Sequence, residues 1–152
     1  MNFYTSTSFR NSISKLTRKS KDGYESVVKD ICEALKNMDD SILRDTNDRI
    51  RQEQNFRIVK LRVKNSHQNL PKNDAFRLIY WVSTKSDNLV LLTVYPKRGP
   101  LGISNLTNDE FKRLLEEMLY EKENAILQKV DIANNLEVIN EACSWRNGGD
   151  GF

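Results

Sequence analysis

Hydrophobic residues recur at helical spacing in two segments near the start of the chain. Phe9, Ile13 and Leu16 lie three or four positions apart, after Thr7 and Ser8, whose hydroxyls are suited to capping a helix. A second segment begins with Asp22 and Glu25, which resemble a capping box. An apolar stripe with helical spacing follows, formed by Tyr24, Val27, Val28, Ile31 and Leu35. The sequence therefore predicts two N-terminal helices, the second packed on a sheet.

The period then changes from helical to two. Residues 37–55 are nearly free of apolar side chains and predict a solvated loop or a frayed helix end. The segment 56–63 then alternates apolar residues with Lys60 and Arg62. The segments 76–82 and 89–94 are also rich in β-branched and aromatic residues, and a polar turn at 85–88 separates them. We expect a meander of three antiparallel strands that ends near Lys97, where Pro96 and Gly99 follow one another closely.

Helical spacing returns toward the C-terminus. Thr107 and Glu110 form a capping box before a further apolar stripe, and 125–145 also has helical spacing with a break at Asn134 and Asn135. Residues 147–152 are typical of a flexible tail. We therefore predict an α+β fold, a small curled antiparallel sheet with two N-terminal helices packed on it and C-terminal helices. Residues 1–122 would form this unit and 123–152 a helical extension of the same domain.

Composition narrows the class of protein. Charged residues make up 30% and hydrophobic residues 38% of the 152 positions, within the globular range. Two widely spaced cysteines, Cys32 and Cys143, and a single histidine predict reduced thiols, no metal site and no cofactor. The segment 1–10 lacks the order of a signal peptide, and no apolar run approaches the roughly 18 residues of a membrane span, so we expect a cytoplasmic protein.

Basic side chains are concentrated on the predicted meander, although the net charge is only +3. The cations are Lys60, Arg62, Arg77, Lys97 and Arg98. On a small curled sheet they would make a positive surface suited to a phosphate backbone, and Trp81 or Tyr95 would add a stacking platform for bases. The alternative interpretation is that these charges only keep the outer face of a sheet in solution.

The three strand segments carry a resemblance to a known family. The stretches FRIVKLRVKN, AFRLIYWVS and NLVLLTVYPKRG resemble the consecutive strands of the RelE/ParE superfamily of toxins from type II toxin-antitoxin systems. In that family a lysine- and arginine-bearing strand leads to an aromatic-Arg-aliphatic-aliphatic-Tyr strand and then to a strand that ends in two basic residues. The resemblance extends over about 9–119 and is closest to the RelE-like mRNA interferases.

The resemblance implies a function and residue roles. RelE-like members are ribosome-dependent endonucleases that cleave mRNA without metal and are inhibited by a cognate antitoxin. Carried over by position, Arg77 and Arg98 would contact the scissile phosphate and stabilise its transition state, with Lys60, Arg62 and Lys97 as supporting or acid-base groups. The chemistry is consistent, since attack by a 2′-hydroxyl needs a base, charge stabilisation at phosphorus and an acid for the leaving oxygen.

Proton transfer is the part that the resemblance assigns least well. Some members carry a tyrosine or histidine shortly after the last strand, whereas the segment GPLGISN here has neither. His67, in the connection before the second strand, is a candidate base or acid because imidazole titrates near neutral pH, but its polar neighbours also suit a solvated loop residue. Tyr95 shares a strand face with Lys97, and a packing role remains open for it.

Two other functions compete with the nuclease. The gyrase-directed ParE-like branch of the superfamily is a non-nuclease in which the fold acts as an inhibitory binding module. A helical interaction protein, in which the segment after Glu121 mediates assembly, is the third hypothesis.

Overall fold

The computed structural model describes residues 1–46 and 49–139, which form seven strands and four α-helices. The helices are α1 (Thr7–Thr17), α2 (Val27–Lys36), α3 (Asp40–Asp45) and α4 (Asn108–Glu123). The strands are β1 (Asn2–Thr5), β2 (Arg49–Gln52), β3 (Phe56–Val63), β4 (Phe76–Ser83), β5 (Asn88–Pro96), β6 (Gln128–Asp131) and β7 (Glu137–Val138). Within the described ranges, every helix is too short or too polar to cross a membrane.

All seven strands belong to one sheet, in the order β2-β3-β4-β5-β1-β6-β7. β1 runs parallel to β5, and every other neighbouring pair is antiparallel. One face of the sheet is covered by α1, α2 and α3, whose buried residues include Phe9, Ile31 and Leu43. The other face is covered by α4 through Met118 and partly buried Phe111. We call these the α1–α3 face and the α4 face.

The alternation of β3, β4 and β5 decides which side chains reach each face. Val59 and Leu61 of β3 join the core under α2, whereas Ile58 joins the core under α4. Lys60 and Arg62 alternate with Val59 and Leu61 and therefore lie on the α4 face. The three predicted strands are confirmed, and their register fixes the position of the basic residues.

The predicted fold class is wrong in its architecture. The sheet is larger than a small meander, because the described residues add β1 and β6 beyond β5 and β2 beyond β3. It is mixed, since β1 and β5 are parallel, and a strand precedes the first helix. β1 was missed because it has four residues and is buried on both faces, with Phe3 and Tyr4 in different cores, so it shows no alternation.

The helix expected at 125–145 is also not present where the structure is described. Residues 128–131 form β6, which pairs antiparallel with β1, and a 3-10 turn at Ile132–Asn134 leads to β7. Ala125, Asn135 and Leu136 have φ of 56°, 54° and 63°, a left-handed conformation that interrupts any helical path. Residues 140–145, with Cys143, and the expected tail at 147–152 lie outside the described residues.

The segment 37–55, expected to be a loop, contains a helix and a strand. Asp39 caps α3 by accepting a hydrogen bond from the Ile42 amide at 2.9 Å, and Leu43 is buried on the sheet. β2 pairs with the first half of β3. A single buried side chain in α3 produces no hydrophobic periodicity in the sequence. Tertiary contacts therefore stabilise α3 and β2.

Glu121 of α4 joins the helix layers across the edge of the sheet. Its carboxylate accepts hydrogen bonds from the Thr7 amide at 2.8 Å and the Thr7 hydroxyl at 3.0 Å, and it lies 3.9 Å from the Arg10 guanidinium. Glu121 is therefore a negative charge at the N-terminus of α1, where unpaired amides and the helix dipole favour an anion. Because the carboxylate is buried, these contacts are shielded from water.

We expect Glu121→Ala to lower the free energy of unfolding by about 1–3 kcal/mol, since it leaves buried donors of α1 without an acceptor. Urea denaturation followed by far-ultraviolet circular dichroism measures this change. Glu123→Ala, an exposed position on the same helix, is the matched control and should change stability by less than about 0.5 kcal/mol. Equal effects of the two substitutions would contradict the capping role.

Candidate nucleic-acid interface

A group of basic side chains lies at one end of the α4 face, where β3 and β5 end and β4 begins. We call Lys60, Arg62, Arg77 and Lys97 the basic cluster. Arg62 is directly opposite Arg77 in the β3–β4 pair, where opposite Cα atoms are about 4.5–5.5 Å apart. Lys60 lies two positions before Arg62 on β3, and Lys97 lies two positions after Tyr95, which is opposite Arg77 in the β4–β5 pair. The charges of Lys97, Arg77 and Arg62 all act on Lys60, so the four cations are neighbours.

Like charges in the basic cluster act on one another. The pKa of Lys60 is lowered by partial burial and then by the positive charges of Lys97, Arg77 and Arg62. The Lys60 ammonium donates a hydrogen bond to Asn105 Oδ1 at 3.0 Å. Among the described residues, no carboxylate forms an ion pair with Lys60, Arg62 or Lys97. This surface therefore carries uncompensated positive charge, which attracts anions.

Tyr95 contributes a hydroxyl next to the basic cluster. The side chain is buried, and within the described ranges its hydroxyl has no hydrogen-bond partner. Burial raises the pKa of Tyr95, the positive charge of Arg77 acts in the opposite direction, and Glu110 adds to the rise. At neutral pH the phenol is a hydrogen-bond donor, and a buried donor without a partner is costly unless a ligand uses it.

Arg77 has a structural position that the sequence did not indicate. Its guanidinium donates to the backbone carbonyls of Lys72 at 3.0 Å, Asn73 at 2.9 Å and Phe76 at 3.1 Å, and the residue is only 5% exposed. These bonds hold the connection between β3 and β4. Arg77 is therefore a buried positive charge next to the other three cations, and its N–H groups form hydrogen bonds with backbone carbonyls of the protein.

Arg98 lies apart from the basic cluster. Lys97 and Arg98 both lie beyond the end of β5. The guanidinium of Arg98 forms an ion pair with Asp74 at 3.0 Å, and its carbonyl accepts a hydrogen bond from Tyr24 on the α1–α3 face. The two consecutive basic residues of the YPKR motif thus have different neighbours, since the charge of Lys97 acts on Lys60.

His67 also lies on the α1–α3 side. Its Nε2 is 2.8 Å from a carboxylate oxygen of Glu25, and its backbone amide donates to the Ser26 hydroxyl. The same loop is held by Asp30, which accepts from the Ser66 amide at 2.9 Å. The structure therefore does not bring His67 together with the basic cluster, and the histidine interacts with the start of α2.

Trp81 is part of the core under α4. Its ring stacks on Phe56 with centroids 5.9 Å apart, and the residue is 1% exposed. An RNA base has no access to this ring.

The sequence correctly predicted that the cations Lys60, Arg62 and Lys97 are neighbours. It contained no signal for Asn105, which lies in a loop and contacts Lys60 only in the folded protein.

Comparison of the chain with protein-family models, with curated proteins and with solved structures finds no match. In residues 1–46 and 49–139, no three histidine, cysteine, aspartate or glutamate side chains are grouped so as to hold a metal ion. Cys32 is buried, and burial raises the pKa of its thiol. The basic cluster itself presents ammonium and guanidinium groups.

We expect Arg77→Ala to lower the free energy of unfolding by roughly 2–4 kcal/mol, because three carbonyls lose their donor in a buried place. Arg62→Ala is the matched control: it removes the opposite arginine, which is exposed, and should change stability by less than about 0.5 kcal/mol. Urea denaturation of both variants measures the difference. If Arg77→Ala lowered the free energy of unfolding as little as Arg62→Ala, this would contradict the role of Arg77 in holding the connection between β3 and β4.

Proposed function

We propose that the basic cluster binds the phosphate backbone of mRNA and that the protein is a metal-independent endoribonuclease. The observation that carries this proposal is that, within residues 1–46 and 49–139, no carboxylate forms an ion pair with Lys60, Arg62 or Lys97. Charges that serve only solubility are normally interspersed with the opposite sign. The resemblance of the strand motifs to RelE-like toxins supports the same substrate.

Each residue of the basic cluster has a separate role in the proposed cleavage reaction. Lys60, whose pKa is lowered, takes the proton of the 2′-hydroxyl as general base, and the resulting oxygen attacks phosphorus. The bond to the 5′-oxygen breaks, and the Lys97 ammonium donates a proton to that leaving oxygen. Arg62 binds the non-bridging oxygens as charge develops. The products are a 2′,3′-cyclic phosphate and a 5′-hydroxyl, and exchange with water resets both lysines.

The biological role that follows is that of a toxin in the cytoplasm. It would act on mRNA in the ribosome, where the message is presented as a single strand, and inhibit translation. A cognate antitoxin would inhibit it by covering the basic cluster. An antitoxin suited to this surface carries acidic side chains, since these complement the cluster directly.

We expect Lys60→Met to reduce mRNA cleavage at least roughly 100-fold, because it removes the general base but keeps the length of the side chain. The chain is expressed inducibly in bacteria, and new mRNA 5′ ends are mapped beside growth. Lys85→Met is the control, since Lys85 is an exposed lysine in the β4–β5 turn, at the opposite end of the sheet. Unchanged cleavage by Lys60→Met would exclude the proposed base.

The pH dependence gives an independent test of Lys60. The base must be neutral, so the cleavage rate of the purified protein on ribosome-bound mRNA should rise with pH until the pKa of Lys60 is reached. Arg62 contributes to lowering that pKa. Arg62→Gln should therefore move the rising limb to higher pH, whereas Lys85→Met should leave it in place. A rate without a rising limb would contradict a lysine base.

A second candidate function is favoured by the positions of Arg77, Arg98 and His67. The guanidinium of Arg77 binds backbone carbonyls, and the other two residues lie on the far side of the sheet. A non-nuclease binding module of the ParE-like, gyrase-directed kind needs no catalytic set. Growth inhibition without new mRNA 5′ ends, together with inhibited DNA supercoiling in cell extracts, would select this function.

A further inference from the structure

A groove on the α4 face lies between β2 and the first two turns of α4. Its cavity volume is about 410 Å³, within the range of small-molecule sites. Four apolar residues line it, Ile50, Ile58, Phe111 and Leu115, together with Arg51, whose guanidinium forms an ion pair with Glu53 at 3.0 Å. The side chain of Ile50 is 46% exposed and is therefore accessible to a ligand. We call this space the β2–α4 groove.

The β2–α4 groove lies on the same face of the sheet as the basic cluster. Ile58 in its wall and Lys60 in the cluster are alternate residues of β3, so both lie on the α4 face. Two residues along a strand are separated by about 7 Å, a distance that a single nucleotide spans. A strand whose phosphate lies on Lys60 therefore has a neighbouring base at the mouth of the groove.

The rim of the groove has groups that suit a nucleobase. Phe111 offers a half-buried ring for stacking, and Lys112 adds a cation next to it. The Asn108 side chain has no hydrogen-bond partner among the described residues. An amide presents a donor and an acceptor together, which is the pattern that reads the edge of a base.

We propose that the β2–α4 groove binds a nucleobase of the RNA strand whose phosphates lie on the basic cluster, and that it sets the preference for base identity. This inference rests on the proposed function, since it takes RNA as the ligand of the cluster. The occupant is single-stranded, because a base in a duplex is stacked and paired and cannot enter the groove.

The test measures binding of two fluorescent RNA octamers to the full chain by anisotropy at low salt. Both carry 2′-O-methyl groups that prevent cleavage, and one has abasic sugars in place of its bases while keeping every phosphate. We expect the abasic octamer to bind roughly 5- to 100-fold more weakly, the range of one stacked base. Equal affinity for both octamers would overturn the base site and leave phosphate binding, and hence the proposed function, in place.

Matched variants locate the contact. Ile50→Ala should weaken binding of the normal octamer by about two- to tenfold and leave the abasic octamer unaffected, because only the base touches the groove. Ile42→Ala is the control, since Ile42 is 47% exposed, almost the same as Ile50, but belongs to α3 on the other face. Equal responses of the two isoleucine variants would overturn the groove as the base site.

Asn108→Ala tests the reading of base identity. Octamers of each single base are compared, and we expect wild-type affinities to differ and the differences to shrink in the variant. Wild-type binding that is the same for all four bases would overturn the specificity role. If no octamer binds at any salt concentration, the proposed function fails and this inference fails with it.

Discussion

The burial of β4 on both faces is the constraint on which the rest of this structure depends. Every residue from Phe76 to Ser83 is buried, so each face of the strand needs its own cover. The α1–α3 face takes Phe76, Leu78 and Tyr80, and the α4 face takes Ile79 and Trp81. A sheet buried in this way at its centre requires helices on both sides, which explains why α4 crosses back after β5.

The same burial determines what each basic residue can do. An arginine inside β4 must satisfy its donors within the protein, and Arg77 does so with carbonyls of the adjoining turn. Lys60 and Arg62 lie on β3 beyond the last β2 pair, where the sheet is open to solvent. The cations with access to a ligand are therefore those outside β4. The pKa of Lys60 is lowered by its partial burial and then by the charges of Lys97, Arg77 and Arg62.

The two faces of the sheet have separate polar systems. On the α1–α3 side, Asp30, Ser26 and the 65–68 loop form a hydrogen-bonded network that includes the backbone of His67. On the α4 side, the basic cluster adjoins Tyr95 and the β2–α4 groove. Carboxylates bind within the first system, whereas among the described residues none forms an ion pair with Lys60, Arg62 or Lys97 of the second. This asymmetry is the physical reason for placing a polyanion on the α4 face.

The pattern along the chain was sufficient for elements with strong local signals. Strands at 56–63, 76–82 and 89–94 were predicted from alternation and β-branched composition, and the structure has them at 56–63, 76–83 and 88–96. The helix after Thr107 was predicted from its capping box, which the structure contains. The proximity of Lys60, Arg62 and Lys97 also followed, because a meander places such strands side by side. These features depend on residues close in sequence or on a single turn.

Tertiary structure alone decided the remainder. β1 exists as a strand because it pairs with β5, and β6 because it pairs with β1, and no local pattern reports pairing between segments so far apart in the chain. The sides taken by Arg98 and His67 depended on Asp74 and Glu25, which only the fold brings near. The sequence determined which side chains carry charge, and the packing of β4 determined which of those charges remain available to a ligand.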